Sequence, residues 1–466
     1  MAFFPASAVF LLIWIARVIR SPDNGVVVAI ATLPFGMFAA VKVAGLSLLV
    51  TDLLASLTMA ALILAWVRAG AHVERGVLTA TNAFLGFYAV YALISATILV
   101  RLFAGQFLVF PMNVSATGIA VSIFFQSTMQ PLAPGMSNVA QAGYILLSFG
   151  FFVAAAAVFF RRSPALGERG LAIAAGINIL LGVLDLMALD TLLSVIRTAD
   201  YSLLNQHSFN GFPRVIGGFS EASAFGATSA AFFAYFTMAF LIHRRGAHGG
   251  LALGNLLCAL TSLSSSGFVA VAVAGVVILA HMPVYLGRGM SRGFAHGFVI
   301  VVSLCLAAIC LLFLLPGVTK SASNVLDWLI FSKASSESGI ERSAWARAGF
   351  QAFAETGGLG AGAGSLRANG LAAVLMGSVG LPGTLSFAIF FLLAISGGRR
   401  ITDPHDRRAF HAARATALTL LAALMLSATT PNPTLFLMAV TAMSAAARQR
   451  ARAMQAAPAH ARVHPA

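Results

Sequence analysis

Three arginines, one glutamate and one tryptophan in the middle of this 466-residue chain have the types and neighbours needed to hold an anion. Arg214 lies three residues before the pair Gly217–Gly218, and Glu221 follows at the mouth of an apolar run. A carboxylate buried in lipid costs several kcal/mol, so Glu221 must face a polar cavity or pair with a cation, and Arg214 is the nearest one along the chain. Downstream, the segment Glu341-Arg-Ser-Ala-Trp-Ala-Arg-Ala-Gly-Phe-Gln-Ala-Phe353 is spaced for a helix. Arg342, Trp345, Ala346, Gly349 and Phe353 share one face of it, while Glu341 and Arg347 point elsewhere. A guanidinium binds phosphate through two parallel charge-assisted hydrogen bonds, and an indole either stacks on a sugar ring or packs into the protein. Glycines at 357, 358, 360, 362 and 364 then give a loop that is either a flexible turn or a cradle of backbone N–H groups for an anion. Arg367, three residues past Gly364, favours the cradle reading, in which Gly362 and Gly364 touch the ligand. The alternative for all three arginines is that they are scattered and solvated.

The elements that carry these residues are read from hydropathy. The chain is 59% hydrophobic and only 9% charged, with a mean hydropathy of +0.91. A soluble domain carries about a quarter charged residues. Apolar runs near 2–16, 25–41, 48–67, 77–102, 137–160, 170–191, 218–242, 250–263, 266–281, 295–316, 371–396, 415–428 and 432–447 approach or reach the length that crosses about 30 Å of hydrocarbon. They predict an all-α polytopic bundle of about 12–13 transmembrane helices. Residues 1–447 form a single membrane domain with long outer loops at 103–136, 192–217 and 317–370. The runs 250–263 and 266–281 are either two half-helices or one long tilted helix. Residues 448–466 read as a disordered cytoplasmic tail.

The formal net charge of +15 reflects topology rather than nucleic-acid binding. Nine cations (Lys42, Arg101, Arg197, Arg214, Lys320, Lys333, Arg342, Arg347 and Arg367) fall on one side of the predicted membrane. The other 20 of the 29 Lys and Arg cluster in the alternate short segments, which positive-inside logic assigns to the cytoplasm. The expected location is a bacterial-type inner membrane, with the long loops periplasmic and the C-terminus cytoplasmic. Cys258, Cys305 and Cys310 fall within apolar runs, and only His207 of the histidines is predicted outside. No ligand spacing for a metal is present, so neither metal nor cofactor is expected.

At these residues the chain resembles the O-antigen ligase/polymerase family. The resemblance rests on Arg214-x-x-Gly217-Gly-Phe-x-Glu221-x-Ser223, then Arg342-x-x-Trp345, then Gly-x-Gly-x-Gly-Ser365, and finally Gly380-x-x-Gly383 in the next span. Asp52, in Ser47-Leu-Leu-Val-Thr-Asp-Leu-Leu54, also matches the family's early span. The outline covers most of the chain, and the specific motifs occupy about 205–385. The resemblance implies a GT-C-like, metal-independent glycosyltransferase that takes polyprenyl-diphosphate-linked oligosaccharides as donors. It works beside other polysaccharide assembly or export proteins. Arg342 and Arg214 fall on the family's arginines, and both, with Glu221, are expected at the catalytic centre. Glu221 then either orients Arg214 or acts as general base. Arg367 and Trp345 are expected to bind substrate. Ligases commonly carry His-Asn where this chain has Arg367-Ala-Asn369, so the resemblance favours a polymerase over a ligase. The rivals without glycosyl transfer are a lipid-linked oligosaccharide transporter, for which Asp185 and Asp190 near the end of the sixth run are the supporting features, and a non-catalytic scaffold in an envelope complex.

Overall fold

A computed structural model describes residues 2–43, 46–68, 79–112, 119–120, 128–199, 208–209, 212–286 and 337–456. The predicted run 295–316, residues 317–336 of the third loop, Cys305, Cys310 and His207 lie outside the described residues.

Among the described residues the protein is mostly helical, 73% by residue. The helices are α1 (Ser7–Val18), α2 (Asn24–Ala31), α3 (Val50–Arg68), α4 (Ala80–Leu102), α5 (Met136–Arg161) and α6 (Ala165–Leu186). They continue with α7 (Ala222–His243), α8 (Gly246–Thr261), α9 (Ser265–Leu286), α10 (Glu337–Glu355), α11 (Leu371–Ile395), α12 (Pro404–Ser427) and α13 (Leu435–Ala456). Among the described residues seven of these are long and apolar enough to cross a membrane: α3, α4, α5, α6, α7, α11 and α12. That marks a membrane protein, with fewer full-length spans among the described residues than the 12–13 expected. Large apolar side chains such as Val67, Ile98, Leu253 and Leu392 point outward, as a hydrocarbon solvent requires. Polar side chains turn inward and pair, as in the buried Asn178–Ser229–Asn255 set, where Asn178 donates to both partners at 2.9 Å.

The predicted runs 25–41 and 415–428 and the predicted tail resolve differently, each for a local reason, whereas 250–263 and 266–281 follow the two-helix reading. The run 25–41 does not form one helix. α2 stops at Ala31 because Pro34 disfavours helical backbone before it, and a bend at 32–38 leads into β2 (Ala39–Val43). That strand pairs antiparallel with β1 (Ala2–Phe3) and β3 (Leu46–Leu49). The runs 250–263 and 266–281 are the separate helices α8 and α9, which turn at Ser262–Ser264. α9 meets α7 where Gly226 and Gly267 bring their backbones together, with Cα of Gly226 3.1 Å from the place a Cβ on Gly267 would take. α12 begins well before the predicted 415, because the Asp403 side chain accepts from the Asp406 N–H at 2.7 Å and Pro404 suits a first turn. The tail expected to be disordered from 448 remains helical to Ala456. Arg448 is buried there and donates to the carbonyls of Leu393 and Ser396. α13 is the central helix, with Leu437, Met438, Val440, Ala442 and Met443 fully enclosed.

The two ends of α5 define two ends of the bundle. Arg161 and Arg162, at its C-terminus, pair with Asp23 at 3.0 and 2.9 Å. Its N-terminus faces the glycine-rich segment, where the Asn138 side-chain N–H donates to the Ala363 carbonyl at 2.8 Å.

Candidate functional site

The site lies at the N-terminal end of α5, where three segments converge. The first is the arm 214–221. Gly217 adopts φ +55, which a side chain would strain, and a Cβ there would also meet the Phe225 ring. A Cβ on Gly218 would run into the Pro34 carbonyl, so the arm is seated on the 32–38 bend. Asp185 and Arg197 grip the same turn. One carboxylate oxygen of Asp185 accepts the N–H groups of Ile216 and Gly217 at 2.6 and 3.0 Å, and the other is bonded by Arg197. Arg197 also donates to the Gly217 carbonyl from Nε and Nη2, at 3.1 and 2.8 Å.

Glu221 ends the arm as the residue that opens α7. Its side chain does not cap the helix. It accepts from Ser223 Oγ at 2.8 Å, and the same oxygen, Oε2, lies 3.7 Å from Nη2 of Arg342. The positive end of the α7 dipole also favours a carboxylate here. The ion-pair partner of Glu221 is therefore Arg342, not Arg214 as the sequence had indicated. The side chains of Arg342 and Glu221 keep 26% and 35% of their exposure, so a ligand can reach them.

The second segment is α10. It crosses α11 closely because Gly349 and Gly377 face each other: a Cβ on Gly377 would lie 2.7 Å from the Gly349 carbonyl oxygen. That crossing holds the Arg342 face over the arm. Trp345, on the same face, is only 4% exposed and packs with Phe110 and Ala348. Of the two roles open to it, stacking on sugar and packing, the burial supports packing.

The third segment carries Arg367. Its backbone N–H donates to the Phe110 carbonyl at 2.6 Å, and its guanidinium stands 5.0 Å from the centre of the Trp345 ring, a cation–π arrangement. Glu341, expected to face away, is near enough for its charge, after that of Glu221, to favour the charged form of Arg367.

Burial pulls the Arg214 guanidinium below its usual range. Repulsion from Arg342 lowers it further, and Glu221 opposes both. Burial lowers Arg367 as well. The Nε atoms of Arg214 and Arg367 are buried without a hydrogen-bond partner among the described residues. The three arginines thus share the field of Glu221, and positive charge is in excess.

The glycine-rich segment is not an open cradle. Residues 360–366 are buried. The N–H groups of Ala361 and Gly362 donate to the carbonyls of Gly377 and Ser378 at 2.8 and 3.0 Å, and Gly360 donates to Thr356 Oγ1 at 2.9 Å. The first two bonds satisfy carbonyls that α11 frees where Gly380 leaves helical geometry at φ +60. Gly362 and Gly364 have positive φ, and a Cβ on Gly364 would strike the Ser137 backbone, so both serve close packing. The segment fixes Arg367 rather than donating to an anion.

Asp185 and Asp190 are likewise accounted for, because both face Arg197 and Asp185 is engaged with the arm. The clasp they form was missed from sequence, although Asp185 closing an apolar run was the available signal. Among the described residues no three His, Cys, Asp or Glu groups are placed to hold a metal.

No protein-family model matches the chain, and no curated protein matches it.

Proposed function

We propose that Arg214, Arg342 and Arg367 bind the diphosphate of a polyprenyl-diphosphate-linked oligosaccharide, and that the protein lengthens this glycan by metal-independent glycosyl transfer. The observation that carries the reading is the convergence of three guanidiniums, from three separate segments, on Glu221, with Glu341 as the second carboxylate near Arg367. Two carboxylates do not neutralise three cations, and a diphosphate supplies the missing negative charge. The resemblance to the O-antigen ligase/polymerase family supports the donor class, and the charge bias between loops supports a site facing outward from a bacterial inner membrane.

In the proposed step an acceptor hydroxyl oxygen forms a bond to the anomeric carbon while the bond from that carbon to the diphosphate oxygen breaks. The departing diphosphate takes the electron pair and the hydroxyl proton passes to water. Charge grows on the leaving group, where arginines already in place stabilise it without reorganisation. Arg342 is the accessible guanidinium for bidentate contact, while Arg214 and Arg367 add fixed positive charge from the buried side. Glu221 orients Arg342, which its geometry supports better than a general-base role.

The test is to supply the purified full-length protein in lipid with polyprenyl-diphosphate oligosaccharide. Longer glycan supports the proposal. Transfer to a different acceptor assigns a ligase, and absence of any transfer rejects glycosyl transfer.

A further inference from the structure

We infer that Asp185 and Arg197 are positioning residues that set Arg214 and Glu221 in place through the turn at Gly217. This rests on the reading of the arginine cluster given above. The turn is held on both of its hydrogen-bonding edges. Asp185 accepts the N–H of Ile216 and of Gly217, and Arg197 donates twice to the Gly217 carbonyl. The two side chains also bond each other and are 10% and 8% exposed, so water competes little with either. Asp190 lies 3.6 Å from Arg197 but is 76% exposed, and such a pair adds little.

A buried ion pair is a poor source of stability compared with apolar residues of the same volume, and what it does supply is a defined geometry. Here that geometry is transmitted directly. Gly217 stands three residues after Arg214 and four before Glu221, so any rotation at its φ of +55 moves the cation and the carboxylate together. Displacement of a binding group by about 1 Å costs on the order of 10²-fold in a preorganised site. The backbone of the same stretch is tied down beyond Arg197 as well, since the N–H groups of Thr198 and Ala199 both donate to the Met37 carbonyl. The clasp therefore links α6, the 32–38 bend and the arm into one support for the cluster.

The experiment measures binding of inorganic pyrophosphate to the full chain in lipid nanodiscs. Arg197→Gln is expected to weaken binding about tenfold. In a background of Arg214→Ala with Glu221→Gln, the same substitution is expected to have no further effect, because the groups it acts through are gone. Arg197→Lys keeps the charge opposite Asp185 but lacks the fork that reaches Gly217, so its loss is expected to be smaller. It also serves as the readable variant should Arg197→Gln not fold. Arg161→Ala, which removes one ion pair at the other end of the bundle, is expected to lower the melting temperature without changing affinity. Undiminished binding by the Arg197 variants, or an equal loss in both backgrounds, overturns the clasp while leaving the cluster intact. If the unaltered chain fails to bind pyrophosphate, or Arg342→Ala binds it equally well, the cluster reading falls and this inference falls with it.

Discussion

The two ends of α5 use charge in opposite ways. At its C-terminal end, several buried or half-buried cations meet acceptors directly. Arg408 reaches Glu168 at 3.1 Å, Arg450 reaches Asp406 at 3.0 Å, and Arg448 is held by the carbonyls of Leu393 and Ser396. His248 and Tyr235 complete the set around Glu168, which joins α6, α7, α8 and α12. Those charges brace helices against one another. At the N-terminal end Arg214, Arg342 and Arg367 share Glu221 and Glu341, with no carboxylate for each. The difference teaches that arginine content alone does not mark a binding site; an excess of cations held by separately anchored segments does.

Substitutions at the two ends should therefore separate stability from binding. The largest effect is expected from Arg408→Ala, which leaves Glu168 without its guanidinium. Removing one partner of a buried pair costs about 3–5 kcal/mol, read as a lower melting temperature and yield, with the affinity of the remaining folded protein unchanged. Next, Arg342→Ala should lower glycan lengthening by about 10²-fold while the melting temperature stays near that of the unaltered chain. Arg342→Lys should restore only part of this, since it keeps charge but loses the fork, and full activity in the Lys variant would count against the clamp.

A smaller and opposite effect on stability is expected at Arg214. A base whose folded pKa lies below its unfolded one is charged at a cost to folding at every pH below the folded pKa. Burial and Arg342 set that direction here. Arg214→Gln should accordingly leave stability unchanged or raise it by about 1 kcal/mol while weakening pyrophosphate binding, a combination that bracing residues do not give. The smallest loss of affinity is expected from Trp345→Leu, which removes the aromatic face under Arg367. The lost cation–π contact is equivalent to about 0.5–1 kcal/mol, seen as a several-fold weaker affinity with the helix content preserved.

Much of the bundle was legible because hydropathy reports lipid contact residue by residue, and α3, α4, α5, α7 and α11 begin and end within a few residues of the predicted runs. The arm was legible in part. Gly217–Gly218 announced a turn between a cation and a carboxylate, and the i, i+3, i+4 spacing correctly put Arg342, Trp345 and Gly349 on one face of α10. Sequence could not show where backbone N–H groups are used. The glycines from 357 to 364 therefore read as a cradle, whereas α11, broken at Gly380, accepts hydrogen bonds from that segment. Nor could it show the clasp, because Asp185, Arg197 and Gly217 meet only through folding. The break at 32–38 did have a signal, Pro34 followed by Gly36, which hydropathy over a long window averages away.

The central claim is most directly tested by an experimental structure of the full-length protein in nanodiscs with inorganic pyrophosphate. Pyrophosphate is expected between the guanidiniums of Arg214, Arg342 and Arg367, with Arg342 making two hydrogen bonds to it and Glu221 remaining beside Ser223. Pyrophosphate held elsewhere on the protein, with these arginines still arranged around Glu221 alone, would contradict the account.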